Sequence, residues 1–272
     1  MLLVFDLGAT KVRAALVRDR RLGKVVAVET EHSAAGFAAF LGILEELAAG
    51  EVIKAVVGGL PAQLEGEEGR VVLARNLPGW LGLEVKSRIG QLFDCPVYIT
   101  NDVKLGGLGE SHYGAGIKKW IMAYFTVSTG VNAVRIVDGR VDATIGRYEI
   151  GEQLLPGSGG RPESLERLVG GAALRKRMGR LPAAIEDKAL WLEIGRDLAR
   201  GLFNTALHWD TELMVLGGSM MNDIDLDEVG RELAKLAHEW PVVPKLKRAE
   251  LGEKVGLMGA LAWHEQLVVE SE

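Results

Sequence analysis

The sequence predicts an α/β protein with two domains around a central cleft. Short β-branched runs alternate with longer segments of helical periodicity, which is the pattern of layered α/β folds. Two modules repeat one order, a hairpin turn and then a crossover helix, without obvious repetition of sequence. At 272 residues the chain is longer than a typical single domain. We place the domain boundary near Gly114, which predicts domains over 1–114 and 115–256.

The individual elements follow from the spacing of apolar residues. Short apolar and β-branched runs predict strands at 2–5, 12–17, 24–29, 53–57, 97–100, 120–127, 133–137 and 213–216. Apolar residues at helical spacing predict helices over 35–48, 85–93, 103–113, 165–176, 186–208, 226–239 and 257–268. The acidic stretch 65–69 predicts a solvated hairpin loop.

Composition excludes several functional classes. The chain is 48% apolar and 25% charged, as expected of a globular protein, and its net charge of −5 offers no bulk attraction to nucleic acid or anionic membranes. The single cysteine, Cys95, excludes an intrachain disulfide framework and suits a reducing compartment. The apolar start, Met1 to Phe5, is too short for a membrane span or signal sequence. We therefore expect a cytoplasmic protein without nucleic-acid or membrane partners.

Asn101 and Asp102 come directly after the strand 97–100, where an acid at the end of a buried strand is well placed for chemistry. Two glycine-rich turns accompany them in the sequence. One, 6–11, follows the first strand, and the other, 128–132, follows the strand 120–127. The pattern indicates one carboxylate base between two turns that hold phosphate.

The turn 6–11 predicts a hairpin and not a Walker loop. It lacks the G-x-x-x-x-G-K-[ST] spacing, and the segment 12–17 after it is short and β-branched. Gly8 permits positive φ, and the turn's backbone N–H groups together with the Thr10 hydroxyl can hold phosphate oxygens. Asp6 would then face the metal that accompanies a nucleotide. The alternative is that this segment only closes a hairpin.

Six segments together resemble the ROK family of repressors and sugar kinases, within the actin-like ATPase superfamily. In chain order they are 6–11 (first phosphate motif), 76–80 (N-x-P-x-W sugar-side loop), 101–110 (catalytic N-D segment), 128–133 (second phosphate motif), 215–219 (adenosine-site glycines) and 256–260 (G-x-x-G-A element). Each segment is short, but their shared order is specific. The resemblance implies two actin-like, ribonuclease H-like domains, with the helix 257–272 completing the first. It also implies a homodimer, ATP and Mg²⁺.

The resemblance also implies the roles of individual residues. Asp6 would bind Mg²⁺ directly or through water. The residues implied to hold the nucleotide are Gly8, Ala9, Thr10, Lys11, Thr129, Gly130, Gly217 and Gly218. The residues implied to hold the sugar are Asn76, Asn101, Asp102, Glu149, Glu152 and Glu166.

The chemistry of Asp102 can also be argued directly. A sugar hydroxyl has a pKa far above 7, so its attack on a phosphoryl group needs a positioned carboxylate to accept the proton. Asn101 is both donor and acceptor and suits neighbouring sugar hydroxyls. The alternative is that the Asn-Asp pair caps the helix 103–113. Both can hold at once, since a capping carboxylate stays ionised although it becomes a weaker base.

The segment 146–166 departs from the family pattern, E-x-G-H followed by a cysteine-rich zinc motif. Glu152 stands where the family has histidine, and Gly157, Gly159 and Ser164 stand at three cysteine positions. Zinc needs about four nitrogen or sulfur ligands, and Cys95 and all five histidines lie outside this segment. We therefore expect no structural zinc, and order that comes from packing and hydrogen bonds.

Glu152 and Asn132 are the two departures that bear on activity. A carboxylate at 152 adds like charge near Glu149, so we hypothesise a preference for an amine-bearing sugar, or a contact supplied by Gln153; the alternative is that Glu152 points to solvent. Asn132 and Ala133 replace family glycines. Asparagine tolerates left-handed backbone, while Ala133 leaves less room for phosphate, which would favour slower transfer or a donor other than ATP.

The leading interpretation is an ATP-dependent kinase that phosphorylates a hexose or hexosamine hydroxyl. Three alternatives remain at this point: a sugar-responsive regulator, a non-catalytic sugar-binding or nucleotide-binding protein of the same fold, and another actin-like ATPase. The chain begins directly at the strand before Asp6, which leaves no helix-turn-helix for the first. Retention of Asp102 argues against the second. Trp80, finally, is either a sugar-stacking face or a core residue.

Overall fold

A computed structural model describes residues 1–142, 149–157, 160–240 and 243–271. Residues 146–148 and Gly159, which belong to the segment that replaces the zinc motif, lie outside these ranges. The strands are β1 Leu2–Leu7, β2 Lys11–Arg18, β3 Arg21–Leu22, β4 Val26–Glu29, β5 Ala55–Leu60, β6 Gln63–Glu65, β7 Arg70–Leu73, β8 Val97–Asn101, β9 Ile121–Val127, β10 Val131–Val137, β11 Arg140–Val141, β12 Leu154–Pro156, β13 Pro162–Ser164, β14 Leu213–Gly217 and β15 Lys245–Arg248. The helices are α1 Ala34–Ala48, α2 Val85–Phe93, α3 Asp102–Tyr113, α4 Leu165–Val169, α5 Gly171–Met178, α6 Lys188–Trp209, α7 Leu226–Leu236 and α8 Val255–Ser271.

The described chain forms two compact units. Unit 1 comprises Met1–Gly109 with Glu253–Glu272, and unit 2 comprises Glu110–Gly252. The chain first passes from unit 1 to unit 2 between Gly109 and Glu110, within α3. Helix α8 belongs to unit 1 and packs on β1 and β5. No helix in the described ranges is long and apolar enough to cross a membrane.

Unit 1 is built on a sheet of order β3-β2-β1-β5-β8, with β4 paired to β2. Strands β1 and β2 form the predicted hairpin, in register from Leu2 with Val17 to Leu7 with Val12. Strand β5 runs parallel to both β1 and β8. The carboxyl ends of β1, β5 and β8 therefore share one edge of the sheet, the edge at which open α/β sheets bind ligands.

An aromatic cluster forms the core of unit 1 beside the hairpin. The ring of Phe40 lies 5.1 Å from that of Phe5 and 5.6 Å from that of Trp80, and the Phe37 and Trp80 rings meet edge to face at 5.0 Å. Trp80 is 1% exposed. Trp80 is thus a core residue, which decides between the two interpretations of this tryptophan.

Unit 2 repeats the topology of unit 1. Its sheet has the order β11-β10-β9-β14-β15, with β9 and β10 antiparallel and β14 parallel to both β9 and β15. The repeated module predicted from the sequence is therefore confirmed. Strand β15 was missed because its four residues, Lys-Leu-Lys-Arg, are mostly exposed at a sheet edge and carry no apolar pattern.

The single helix predicted over 165–176 is wrong, because Gly170 divides it into α4 and α5. Gly170 is extended, with φ −73° and ψ 141°. A side chain there would meet the carbonyl oxygens of Glu166 and Thr129, since a Cβ would lie 2.5 Å and 3.4 Å from them. The break allows α5 to begin against the turn that precedes β10.

A fully buried carboxylate ties two distant segments of unit 2 together. Glu110 is 0% exposed. Its Oε2 accepts a hydrogen bond from the amide of Ala115 at 2.8 Å, and its Oε1 accepts from the amides of Glu250 and Leu251 at 3.0 and 2.9 Å. Three backbone donors satisfy this buried charge, and they join the C-terminal end of α3 to the segment after β15.

Candidate active site

Two carboxylates lie together at the carboxyl edge of the unit 1 sheet. Asp6 pairs laterally with Gly59 of β5, which in turn pairs with Thr100 of β8, and Asp102 follows two residues later. Neighbouring strands are about 4.8 Å apart, so the glycine between them leaves the space in which the two acids interact.

Glycines make this close approach possible. A Cβ on Gly59 would lie 2.8 Å from Cδ1 of Leu105 and 3.0 Å from Cα of Asp102. A Cβ on Gly256, in α8, would lie 2.2 Å from Cγ of Asp6. The C-terminal glycine motif is therefore explained within unit 1 by packing of α8 against the Asp6 side chain.

The start of α3 uses both Asn101 and Asp102. The amide of Val103 donates to Oδ1 of Asn101 and to Oδ1 of Asp102, each at 3.0 Å. The predicted capping role is thus confirmed. It leaves the second carboxylate oxygen of Asp102 and the amide nitrogen of Asn101 as the groups with which a ligand could be bound.

The two acids are less acidic than ordinary carboxyl groups. Burial and, to a smaller extent, the negative charge of Asp6 together raise the pKa of Asp102 from 3.8 to about 7, against the opposing effect of the hydrogen bond from Val103. Burial also raises the pKa of Asp6 to about 6, although Arg13 opposes the shift. A carboxyl group with a pKa near 7 is well matched to proton transfer at neutral pH.

Sequence reasoning missed Arg13, the cation next to this pair. Arg13 is the direct cross-strand partner of Asp6 in the hairpin. Its NH2 nitrogen donates to Oε1 of Glu253 at 2.7 Å, while its buried Nε has no acceptor among the described residues. The available signal was the hairpin itself, since a turn that pairs Leu7 with Val12 must place residues 6 and 13 opposite each other.

The first glycine turn is closed by its own backbone. The amide of Gly8 donates to the carbonyl of Lys11 at 2.9 Å, and the hydroxyl of Thr30 donates to the carbonyl of Gly8 at 2.9 Å. Gly8 is absent from the residues with positive φ, so the turn does not use the left-handed backbone that a glycine permits there. The exposed side of the turn is formed by Thr10 and Lys11.

The loop 76–80 of unit 1 packs on the start of α1. The amide of Gly79 donates to the carbonyl of His32 at 3.2 Å, and a Cβ on Gly79 would lie 2.4 Å from the backbone nitrogen of Ala34. The carbonyl of Asn76 is hydrogen-bonded to Nδ1 of His32. This contact uses only the backbone of Asn76, and the residue remains exposed.

The second glycine turn, in unit 2, is held by α5. The carbonyls of Ser128 and Thr129 accept from the first two amides of that helix, Gly171 at 2.7 Å and Ala172 at 2.9 Å. Glu166 supports the same turn, because its Oε2 accepts from the amide of Val131 at 2.9 Å. A Cβ on Gly130 would lie 2.4 Å from that oxygen, so only glycine fits there.

The segment 149–152 of unit 2 also rests on β10. The side-chain oxygen of Asn132 accepts from the amide of Ile150 at 3.3 Å. A Cβ on Gly151 would lie 2.0 Å from the carbonyl oxygen of Val131. Glu149 and Glu152 on either side are exposed, while the carboxylate of Glu166 is already engaged with Val131.

Gly217 and Gly218, at the end of β14, are required by packing against β9. A Cβ on Gly217 would lie 2.9 Å from the Tyr124 hydroxyl, and one on Gly218 would lie 2.3 Å from the carbonyl oxygen of Val127. Gly218 also has φ +96°, a conformation that side chains rarely allow. These glycines bring the backbone after β14 close to the second glycine turn.

The acids of unit 1 fit a magnesium ion in their chemistry. Mg²⁺ prefers oxygen ligands and usually takes only one or two carboxylates, with phosphate oxygens and water completing its shell. Among the described residues, no group of three or more His, Cys, Asp or Glu is placed to hold a metal. The raised pKa values of Asp6 and Asp102 mark uncompensated negative charge that a cation would stabilise.

The repeated topology defines the class of this protein: it has the actin-like fold of two α/β domains. The ROK hexokinase of Thermus thermophilus superposes with a TM-score of 0.79 at 27% identity, covering 98% of this chain and 99% of that one. A glucokinase of Streptomyces griseus, in complex with glucose and AMPPNP, superposes with a TM-score of 0.80 at 22% identity, covering 97% and 99%.

The chain belongs to the ROK family, whose sequence profile it matches over residues 3–267. It is 28% identical to a glucokinase of Pyrobaculum calidifontis, over 94% of this chain and 92% of that protein. Because the family profile and these kinases match nearly the whole chain, the protein is a sugar kinase. The family resemblance and the actin-like fold expected from the sequence are confirmed.

Proposed function

We propose that this protein transfers the γ-phosphoryl group of ATP to a hydroxyl of a hexose or hexosamine, with Asp102 as the general base. One observation carries the proposal. Asp102 lies at the carboxyl edge of the unit 1 sheet, beside Asp6, with its pKa raised to about 7. A base of this strength accepts a proton from an acceptor hydroxyl as the new bond forms.

The neighbouring residues of unit 1 have supporting roles in this proposal. One oxygen of Asp102 is held by the amide of Val103, which fixes the direction of the other toward the acceptor. The Nδ2 group of Asn101 would donate to an adjacent hydroxyl, and Asn76 would hold another. Mg²⁺, held at Asp6, would neutralise charge on the phosphates.

Unit 2 would supply the nucleotide contacts. Because the carbonyls of Ser128 and Thr129 are bonded to α5, the turn is held in place, and its Thr129–Gly130 segment would contact phosphate oxygens. Thr129 and Gly130 would hold phosphate there, as Thr10 and Lys11 would in unit 1. Gly217 and Gly218 would let the adenosine approach the backbone, and Glu149 and Glu152 would contact sugar hydroxyls. A homodimer in the cytoplasm remains our prediction.

Coupled ADP release with Mg-ATP tests the proposal across glucose, mannose, glucosamine, N-acetylglucosamine, N-acetylmannosamine, fructose and allose. Asp102→Asn is measured in parallel, and Asp94→Asn, an exposed aspartate at the end of α2, is the matched control. We expect sugar-dependent release that only Asp102→Asn abolishes. Binding of sugar or nucleotide without release above that variant would instead indicate a non-catalytic binding protein.

A further inference from the structure

The segment Glu149–Gln153 has little internal structure of its own. It contains one short 3₁₀ turn, Ile150–Glu152, in which the amides of Glu152 and Gln153 donate to the carbonyls of Glu149 and Ile150 at 3.0 and 3.2 Å. So short a turn does not persist without external contacts. Its exposed acids are therefore positioned by whatever the segment is attached to.

Asn132 attaches the first end of the segment to β10. The Asn132 side-chain oxygen accepts from the amide of its own neighbour, Ala133, at 2.8 Å and from the amide of Ile150 at 3.3 Å. The backbone of Gly151 packs directly against the carbonyl of Val131. The hydrogen bond from the Ile150 amide to Asn132 joins residues 18 apart in sequence, so it sets where the turn begins.

Gln153 attaches the other end to α6. Its Nε2 donates to the carbonyl of Gly201 at 3.3 Å, and its Oε1 accepts from Nδ2 of Asn204 at 3.1 Å. Its backbone carbonyl accepts from the amide of Leu165 at 2.9 Å. Both polar ends of this partly buried side chain are engaged, so its geometry is determined.

We propose that Asn132 and Gln153 are positioning residues that hold the Glu149–Gln153 turn on β10 and α6, so that Glu149 is presented to the sugar. Neutral side-chain amides would then do the work that the family pattern gives to a metal-held loop. Asn132 thus has a bracing role at a position where the family carries glycine. The effect on sugar binding rests on the proposed function, whereas the attachment of the turn does not.

Two measurements separate these parts. Hydrogen exchange of the Ile150 amide in the ligand-free protein reports the attachment without any need for activity. Steady-state kinetics report the KM for sugar, the KM for ATP and kcat. The variants are Asn132→Leu, which removes the acceptor at similar volume, Asn132→Asp, which keeps an acceptor oxygen, and Gln153→Leu. The control is Gln91→Leu, on the exposed face of α2.

We expect Asn132→Leu to speed exchange at Ile150 by about two- to tenfold, the range of one net hydrogen bond, and Asn132→Asp to restore protection. Asn132→Leu and Gln153→Leu should each raise the KM for sugar by a similar factor. Their KM for ATP and their kcat should stay within about twofold of wild type. A further variant, Asn204→Leu, should change the KM for sugar non-additively with Gln153→Leu, because both substitutions remove the hydrogen bond between these two side chains.

Unchanged exchange at Ile150 in Asn132→Leu would overturn the attachment. Faster exchange with an unchanged KM for sugar would overturn the role in sugar binding. A fall in kcat together with a similar rise in both KM values would indicate general damage to the protein and would also contradict the proposal. If the wild-type protein turns over no sugar, the proposed function fails, and the exchange result alone decides whether Asn132 holds the turn.

Discussion

The hairpin of unit 1 and the hairpin of unit 2 have the same place in their sheets but opposite chemistry. One pair before the turn, Asp6 faces Arg13 in unit 1, whereas Thr126 faces Asn132 in unit 2. On the adjacent parallel strand, Gly59 pairs with Asp6 and Gly217 pairs with Thr126. The glycine is kept in both units because the chain crosses closely there, while the charges are present in one unit only.

This difference separates two tasks that suit different electrostatics. A carboxylate pair with raised pKa values accepts protons and attracts a cation, as expected on the acceptor side of a phosphoryl transfer. A neutral turn of hydroxyls and glycine would not repel phosphate oxygens, as our proposal requires of unit 2. The topology thus sets the positions, and the side chains placed there set the chemistry.

The substitution with the largest expected effect neutralises Asp102, the proposed base. We expect Asp102→Asn to lower kcat by about 10²- to 10⁴-fold, the usual contribution of a general base, with little change in the KM for ATP. Stopped-flow or coupled assays at saturating sugar measure it, with Asp94→Asn as the control. A variant that keeps more than about a tenth of wild-type kcat would exclude Asp102 as the base.

Removing the cation of the charged pair should have the next largest effect. Arg13→Met removes the positive charge opposite Asp6, so the pKa of Asp6 rises further. We expect kcat/KM to fall by up to about tenfold for each pKa unit of that rise. Arg18→Met, on the same strand in an exposed pair with Glu51, is the matched control. Equal effects of the two substitutions would contradict a specific role for Arg13.

The equivalent glycines test whether the two hairpins serve different steps. Gly59→Ala would press on Leu105 and Asp102, and Gly217→Ala would press on the Tyr124 hydroxyl. Each should lose about 1–3 kcal/mol of unfolding free energy in urea titrations, but only Gly59→Ala should lower kcat. Gly42→Ala, in α1 with nothing within 4 Å, should be neutral or stabilising. A kcat loss confined to Gly217→Ala would reverse our assignment.

The smallest expected effect is a pH-dependent gain in stability. The pKa of Asp102 is raised to about 7 in the folded protein, so folding favours its protonated form and stability declines as pH rises from about 4 through 7. Asp102→Asn removes this pH-dependent contribution to stability. Its unfolding free energy should exceed that of wild type by about 1–2 kcal/mol at pH 8, after allowance for solvent screening, and match it near pH 4. Thermal melts at both pH values measure the difference, and a constant offset would contradict the shifted pKa.

Local sequence patterns predicted the elements that depend on local preference. The hairpin at Gly8, the strand before Asn101 and the helix starting at Asp102 all carry apolar periodicity or turn residues within a few positions. The exceptions have a common cause. Gly170 interrupts a helical pattern because α5 must meet Thr129, and strand β15 exists only because β14 pairs with it.

The candidate site also contains residues that the sequence predicted and contacts that it did not. Asp6, Asn101 and Asp102 could be selected from the sequence because each stands at the end of an apolar run. The sequence did not predict that Glu166 supports the amide of Val131, or that Asn132 holds that of Ile150. Hydrogen bonds between distant segments leave no periodic trace in the residues that form them.

The sequence by itself determined the two α/β modules, the order of the six motifs and an acid at the end of β8, because strand, helix and turn preferences act over neighbouring residues. Only the tertiary structure decided that Arg13 and Glu253, 240 residues apart, meet beside Asp6, and that burial raises the pKa values of the two acids. Burial and long-range contacts depend on every element that packs around a group, and so they exist only once the chain has folded.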